Sequence, residues 1–274
     1  MARACRAAAR PLVLVPTMGA LHAGHLALVA RARKLAGPHG TVALSLFVNP
    51  TQFGPKEDFS RYPRPLREDT AQCRAAGVNL LFTPSAAAMY EPDQSVWIDE
   101  EALSATLCGA SRPGHFRGVC TVVGKLFNLT GADAAVFGKK DVQQLAIIRR
   151  MVRDLNFPVR IVGVETVRER DGLAMSSRNR YLTPQERSQA PILQQALRAA
   201  RKRAREGGVT PEALAARVSA QIGSAPLARI DYVSILDAET LRPPVRGKTE
   251  RWLIALAVFF GKTRLIDHLE IPAP

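Results

Sequence analysis

The feature that most constrains this chain is a regular alternation of short apolar runs and helical patterns over roughly its first 165 residues. "PLVLV" (11–15) precedes the helical "HLALVARARKLAG" (25–37), and "TVALSLFVN" (41–49) is short and apolar enough for a buried strand. "REDTAQCRAAG" (67–77) has helical spacing and leads to the strand-like "VNLLFTP" (78–84). "GVCTVVGKLFNLTG" (118–131) is helical, "ADAAVFG" (132–138) a strand, "DVQQLAIIRRMVRDLN" (141–156) a helix and "PVRIVGVE" (158–165) a last strand. Strand and helix in turn demand crossover connections, hence a parallel sheet with helices on both faces. Ligands of such sheets bind beyond the carboxyl ends of the strands.

Compact polar stretches fall at those ends: "PTMGALHAGH" (16–25), "NPTQFG" (49–54), "GKKD" (138–141) and "RERDGLAMSSRNRYL" (168–182). Glycine and proline mark turns anyway, but four such stretches on one sheet edge predict a pocket. In the first, Pro16 is expected to end the strand and Gly19 to permit a tight turn. His22 and His25 stand three apart at a predicted helix start, so their rings can point the same way. A helix N-terminus offers unpaired N–H groups to an anion, and Gly24 lets it come close. The alternative is a surface turn with incidental histidines, in a chain that has five.

After about residue 167 the pattern changes. "TPQERSQAPILQQALRAARKRAREGG" (183–208) is predicted as one helix, with Thr183 as N-cap, Pro184 at the first position and Glu186 closing a capping box. "TPEALAARVSAQIGSA" (210–225) repeats that opening with Thr210 and Pro211. "RIDYVSILDA", "RWLIALAVFFG" and "TRLIDHLEI" read as strands of a small antiparallel sheet. The expected organisation is a doubly wound domain over 1–166 and a smaller α+β domain over 167–274.

The net charge is +14, which suits either nucleic acid or anionic small molecules such as ATP. Scattered arginines and few aromatics argue against nucleic acid, and the basic run at 197–208 reads as a solvated helix face. No apolar stretch is long enough for a membrane span. The arginines before "PLVLV" suggest a targeting peptide only superficially, so the expected location is the cytoplasm. Cys5, Cys73, Cys108 and Cys120 have no CxxC spacing, and buried thiols fit better than disulfides or a zinc site.

HxGH after a first strand is similar to the nucleotide-binding signature of the class I aminoacyl-tRNA synthetase and nucleotidyltransferase superfamily, and "LAMSSRN" resembles its second, triphosphate-gripping loop. A narrower resemblance joins "VPTMGALHAGHLALV", "FVNPTQF", "RYPR", "GASRPGHFRGV", "KLFNL", "GKKDVQQLAIIR", "DGLAMSSRNRYL" and "TRLIDH", in order from residue 15 to 268. Together they look like the pantothenate synthetase (pantoate–β-alanine ligase) family. The resemblance implies a Rossmann-like fold, a homodimer, and the ATP-dependent condensation of (R)-pantoate with β-alanine through pantoyl adenylate, releasing AMP and pyrophosphate.

Carried over residue by residue, it implies an ATP site of Met18, Gly19, Ala20, Leu21, His22, Ala23, Gly24 and His25. Gly138, Lys139, Lys140, Asp141, Val167, Met175, Ser176, Ser177 and Arg178 complete that site. His25 is then the proton donor, and His22, Lys140, Ser176, Ser177 and Arg178 meet phosphate. Gln52 and Gln144 are the implied substrate contacts, with Asn49 beside Gln52. From the residues alone, Asn49-Pro50 is a turn, Gln52 faces solvent, and Asp141, Gln143 and Gln144 cap a helix. Lys139 stands where the family commonly has glutamate, and the segment before the HxGH strand is shorter than usual. "GPKEDFSRYPR" (54–64) has the character of a mobile flap. His115 and Arg117 either approach the substrate carboxylate or only stabilise loop and dimer structure. Mg²⁺ is expected with ATP, with no protein ligand named. The rivals are an RNA-linked synthetase-like enzyme and a non-catalytic nucleotide-binding protein.

Overall fold

The structure is a computed structural model that describes every residue but Lys56. It divides into two compact units, the first formed by Met1–Ser104, Arg112–Lys139 and Gln144–Glu165, the second by Ala105–Ser111, Lys140–Gln143 and Thr166–Pro274. The short segments 105–111 and 140–143 thus group with the C-terminal part of the chain, which a single boundary at 166/167 does not capture.

In the first unit the elements run α1 (Ala2–Arg6), β1 (Leu12–Thr17), α2 (Ala23–Ala36), β2 (Thr41–Leu46), α3 (Leu66–Ala75), β3 (Leu80–Phe82) and α4 (Ala86–Met89). After α5 (Leu107–Ser111), which belongs to the second unit, come α6 (His115–Thr130), β4 (Ala134–Gly138), α7 (Val142–Asp154), whose first two residues group with the second unit, and β5 (Arg160–Val164). The five strands are parallel in the order β3-β2-β1-β4-β5. Every residue of β2 and the first four of β1 are buried, as central strands covered on both faces must be. Strand order reverses between β1 and β4, the switch point at which such sheets bind ligands. The segments leaving those two strands begin at Met18 and Lys139.

Pro16 does not end β1: it pairs with Ser45 and the strand runs on to Thr17. The Thr17 hydroxyl donates to the Ser45 carbonyl at 2.7 Å, so the ladder keeps a donor beside the residue that has none.

The second unit continues with α8 (Pro184–Gln189), α9 (Ile192–Arg205), α10 (Pro211–Gly223), β6 (Ala228–Asp237), β7 (Arg251–Phe260) and β8 (Thr263–Pro272). The strands form an antiparallel sheet with β7 in the centre. The Thr183 capping box is present, yet the expected single helix is two, because Pro191 has no N–H to carry the ladder across. Leu193, Ala196, Leu197, Ala200 and Ala204 form the buried stripe of α9 against the sheet, which turns Arg198, Arg201, Lys202 and Arg205 outward. Among the described residues, no helix is long and apolar enough to cross a membrane.

Candidate active site

The chain reverses after β1 through Gly19 at φ 85° and Ala20 at φ 52°. The second value is uncommon for a residue with a Cβ and costs on the order of 1 kcal/mol. It is held by Asp69, in the first turn of α3. One Asp69 oxygen accepts the Ala20 N–H and the other the Leu21 N–H, both at 2.8 Å. The carboxylate is 2% exposed. A side chain at Gly19 would bring its Cβ to 3.0 Å from Asp69 Oδ2, so the turn requires glycine there.

α2 then opens with His22 as its N-cap in extended conformation. His22 Nδ1 accepts the Gly24 N–H at 3.1 Å, and His25 Nδ1 accepts the His22 N–H at 3.3 Å. This is a capping box in which imidazoles replace the usual hydroxyl and carboxylate. The two rings stack with centroids 4.0 Å apart. A nitrogen that accepts an N–H carries no proton, so this geometry assigns each neutral ring the Nε2–H tautomer. Several amides of this turn and helix start already have partners. The Gly19 N–H goes to Thr17 Oγ1, those of Ala20 and Leu21 to Asp69, and those of His22 and Gly24 to the rings.

The turn after β2 is built differently. Pro50–Gln52 form one turn of 3-10 helix, capped by Asn49. Asn49 is 1% exposed and Gln52 8%, which overturns the solvent-facing reading of Gln52. Asn49 Nδ2 donates to Gln52 Oε1 and to the Gly118 carbonyl, both at 3.1 Å. Asn49 Oδ1 accepts from Tyr90 Oη at 2.7 Å and from the Thr51 hydroxyl at 3.0 Å. Gln52 Nε2 in turn reaches Met18 Sδ at 3.1 Å, joining this turn to the one after β1. At Gly118 in α6 a Cβ would lie 2.4 Å from the Thr51 carbonyl oxygen, so only glycine allows the helix to lie against the turn.

The carbonyl of Gln52 is held as well. His115 Nδ1 lies 2.8 Å from it and must donate, since a carbonyl accepts, and His115 Nε2 then accepts from Arg112 at 2.9 Å. Arg112 also forks onto Glu57 at 2.5 and 2.9 Å. Burial opposes ionisation of Glu57, but the Arg112 guanidinium and the Gly54 N–H together hold its carboxyl below the usual range. The stretch expected as a flap is thus fastened at Glu57, and Lys56 within it lies outside the described residues. His115 acts on its loop, and Arg117 lies over the Trp97 ring at 4.7 Å.

At the end of β4, Lys139 pairs with Glu165, which leads away from β5, so its extra cation already has a counter-charge. Gln144, in α7, is half-buried. In the second unit Lys140 is half-buried and has no hydrogen bond or ion pair among the described residues. Gln143 is 4% exposed and ties Thr106 to Cys108, accepting from the Cys108 N–H at 2.9 Å and donating to the Thr106 carbonyl at 2.7 Å.

Val167 accepts the Met175 N–H at 3.0 Å, closing a hairpin that carries "MSSR". Arg168 grips Asp267 at 2.6 and 2.9 Å, while Arg187 holds Glu169 and Asp171, both at 2.6 Å. An ordinary polar linker is not braced in this way. Ser176 caps the 3-10 turn Ser177–Tyr181 by accepting the Arg178 N–H at 3.3 Å, which leaves its own O–H as a donor. Ser177 is buried.

Sequence reasoning missed Asp69, Tyr90, Gly118 and the Arg112–Glu57 pair. An acid in the first turn of a helix looks like an ordinary dipole partner, and nothing local marks Asp69 as a long-range acceptor. The four cysteines are buried free thiols. Burial, aided by the Asp69 charge, pushes Cys73 up to about 11, and burial with Glu100 and Asp99 pushes Cys120 up to about 12.

Comparison with known proteins fits this geometry. Residues 1–270 match the pantoate-beta-alanine ligase family. The chain is 53% identical over 260 residues to the pantothenate synthetase of Akkermansia muciniphila, covering 95% of this chain and 92% of that one. A crystal structure of pantothenate synthetase from Thermus thermophilus superposes with a TM-score of 0.90 at 47% identity, covering 98% and 96% of the two chains. That of the Francisella tularensis pantoate-beta-alanine ligase, complexed with beta-gamma ATP and beta-alanine, gives 0.77 at 32% identity over 94% and 88%. The chain belongs to the pantoate–β-alanine ligase family, whose activity is the ATP-dependent condensation of pantoate with β-alanine.

Proposed function

We propose that the chain joins (R)-pantoate to β-alanine in two steps, with the residues above in the following roles. In the first step a pantoate carboxylate oxygen attacks the α-phosphorus of ATP. The bond to the β-phosphate oxygen breaks, pyrophosphate leaves, and pantoyl adenylate remains. In the second, the free amine of β-alanine attacks the acyl carbon, the C–O bond to AMP breaks, and the nitrogen loses a proton as the amide forms. No covalent enzyme intermediate is needed.

The observation that carries the residue assignment is the stacked His22–His25 pair at the switch point, with both Nδ1 atoms committed to backbone N–H groups. Rings so fixed donate from Nε2 while neutral. His22 and His25 then stabilise charge that builds on the phosphate oxygens as pyrophosphate departs, and His25 serves as the donor to the leaving group. Met18–His25, Gly138–Asp141, Val167 and Met175–Arg178 contact ATP. Lys140 supplies a compact cation to its phosphates, and Ser176, Ser177 and Arg178 supply hydroxyl and guanidinium donors. Gln52, Asn49 and Gln144 orient pantoate, since a carboxamide both donates to its carboxylate and accepts from its hydroxyls.

Mg²⁺ is assigned to the triphosphate. Among the described residues no three His, Cys, Asp or Glu side chains form a metal cage. An ion that reaches the site on ATP keeps several of its waters and takes few protein ligands, so no dedicated cage is required. The enzyme acts as a homodimer in the cytoplasm, and its charge of +14 favours anionic substrates over nucleic acid.

The test is ATP–pyrophosphate exchange with pantoate and, separately, with a panel of amino acids. Exchange driven by pantoate alone is expected. Exchange driven by an amino acid would replace this reading with a synthetase-like one.

A further inference from the structure

We propose that Asp69 is a positioning residue for the adenylation step: its buried carboxylate sets the turn that aims the His22 and His25 rings. The activity arm of the test rests on the reaction proposed above, and the spectroscopic arm does not.

The chain of contacts is short. Asp69 takes the N–H groups of Ala20 and Leu21, one on each oxygen, at 2.8 Å. Those are the two residues immediately before the N-cap His22, whose backbone sits at φ −143°, ψ 175°. His22 Nδ1 reaches the Gly24 N–H, and His25 Nδ1 the His22 N–H, only if the chain enters α2 from that direction. Ala20 is held at φ 52°, a conformation it would leave without compensation. Two charge-assisted hydrogen bonds to a desolvated carboxylate supply that compensation.

Asp69 is ill suited to be a base itself. It is 2% exposed, and both oxygens are occupied by amides of the turn. Its placement has a second effect. By absorbing those amides it removes two backbone donors from the turn. Thr17 Oγ1 does the same for the Gly19 N–H. The turn is therefore a mount for two imidazoles, and the mount is fixed from α3.

Asp69→Asn is the incisive variant. An amide offers one acceptor oxygen and one NH₂ group, so one N–H of the turn would face another donor. Displacing a catalytic group by about 1 Å costs on the order of 100-fold in rate. We expect kcat for pantoate-dependent exchange to fall roughly 10- to 100-fold while KM for pantoate stays within about twofold. In ¹⁵N spectra of the full chain, wild-type His22 and His25 should show a protonated Nε2 and an accepting Nδ1, and D69N a tautomer mixture. Thr70→Val is the control. Thr70 Oγ1 donates to the Leu66 carbonyl within α3 at 2.7 Å, so T70V perturbs the same helix and should leave exchange unchanged.

D69N with kcat within about threefold of wild type and unaltered ring signals overturns the proposal, and so does an equal loss in T70V. Should D69N fail to fold, Gly19→Ala decides, because it pushes a Cβ against Asp69 Oδ2 from the turn side. Because Gly19 is itself assigned to the ATP site, the ring signals decide: a tautomer mixture in G19A supports the proposal, and wild-type ring signals overturn it. Absence of pantoate-driven exchange in the wild type would sink the assigned reaction, leaving the ring signals to judge Asp69 alone.

Discussion

The turn after β1 spends its polar side chains on its own backbone, whereas the turn after β2 spends them on one another and on a distant helix. His22 and His25 cap the amides of the helix they begin, within four residues of sequence. Asn49 and Gln52 are adjacent in the same sense, yet their bonds run to Tyr90, Gly118 and Met18. The first arrangement makes one nitrogen of each ring structural. The second makes nearly every polar atom structural, so function and stability are harder to separate there.

The largest effect should come from dividing the two roles of His22. Asparagine is among the best N-caps, so His22→Asn keeps an acceptor for the Gly24 N–H while deleting the ring. Losing one preorganised donor at a developing charge costs roughly 3 kcal/mol, or about 100-fold in exchange rate. Thermal stability should change by no more than about 0.5 kcal/mol. A rate within tenfold of wild type would return the pair to the status of a helix cap. Equal losses of rate and stability would show that the cap and the chemistry cannot be divided.

That contrast explains what the sequence revealed. The strand–helix alternation and the parallel sheet were legible because central strands are apolar runs and helices carry a 3.6-residue period. The histidine pair was legible because its partners are local. Gln52 was misread as solvent-facing, since its burial depends on α6 lying on the 49–52 turn, which Gly118 permits from 66 residues away in sequence. Pro191 was the one local signal overlooked: it divides α8 from α9 by ordinary proline chemistry. Asp69 had no local signal, because its partners lie almost fifty residues upstream.

Asn49→Ala tests the other side of the comparison. It strips partners from Gln52, Tyr90, Thr51 and the Gly118 carbonyl at a site 1% exposed. Buried polar groups left without partners cost about 1–3 kcal/mol each, partly relieved by rearrangement. A loss of about 2–4 kcal/mol in denaturant unfolding is expected, together with a raised KM for pantoate. Rate and stability should fall together here, in contrast to H22N. An N49A protein of unchanged stability would mean that the network is not what holds the turn.

The smallest effect concerns the Glu57–Arg112–His115 chain that holds the Gln52 carbonyl, and it is a dependence on pH. Glu57 ionises below its usual range in the folded state, so its bond to Arg112 contributes stability that is complete above the unfolded-state pKa of about 4.3. That contribution is lost as pH falls through the folded value. Glu57→Gln keeps the shape and removes the charge, so the wild type should exceed E57Q by about 1 kcal/mol near pH 7. The gap should narrow as pH falls below about 4.3 and through the lowered folded-state value. Paired melting curves across that range measure it. A gap that stays constant as pH falls below about 4.3 until the folded state is lost would show that the carboxylate's charge is not what secures Arg112, and that His115 and the Gln52 carbonyl hold the guanidinium without it.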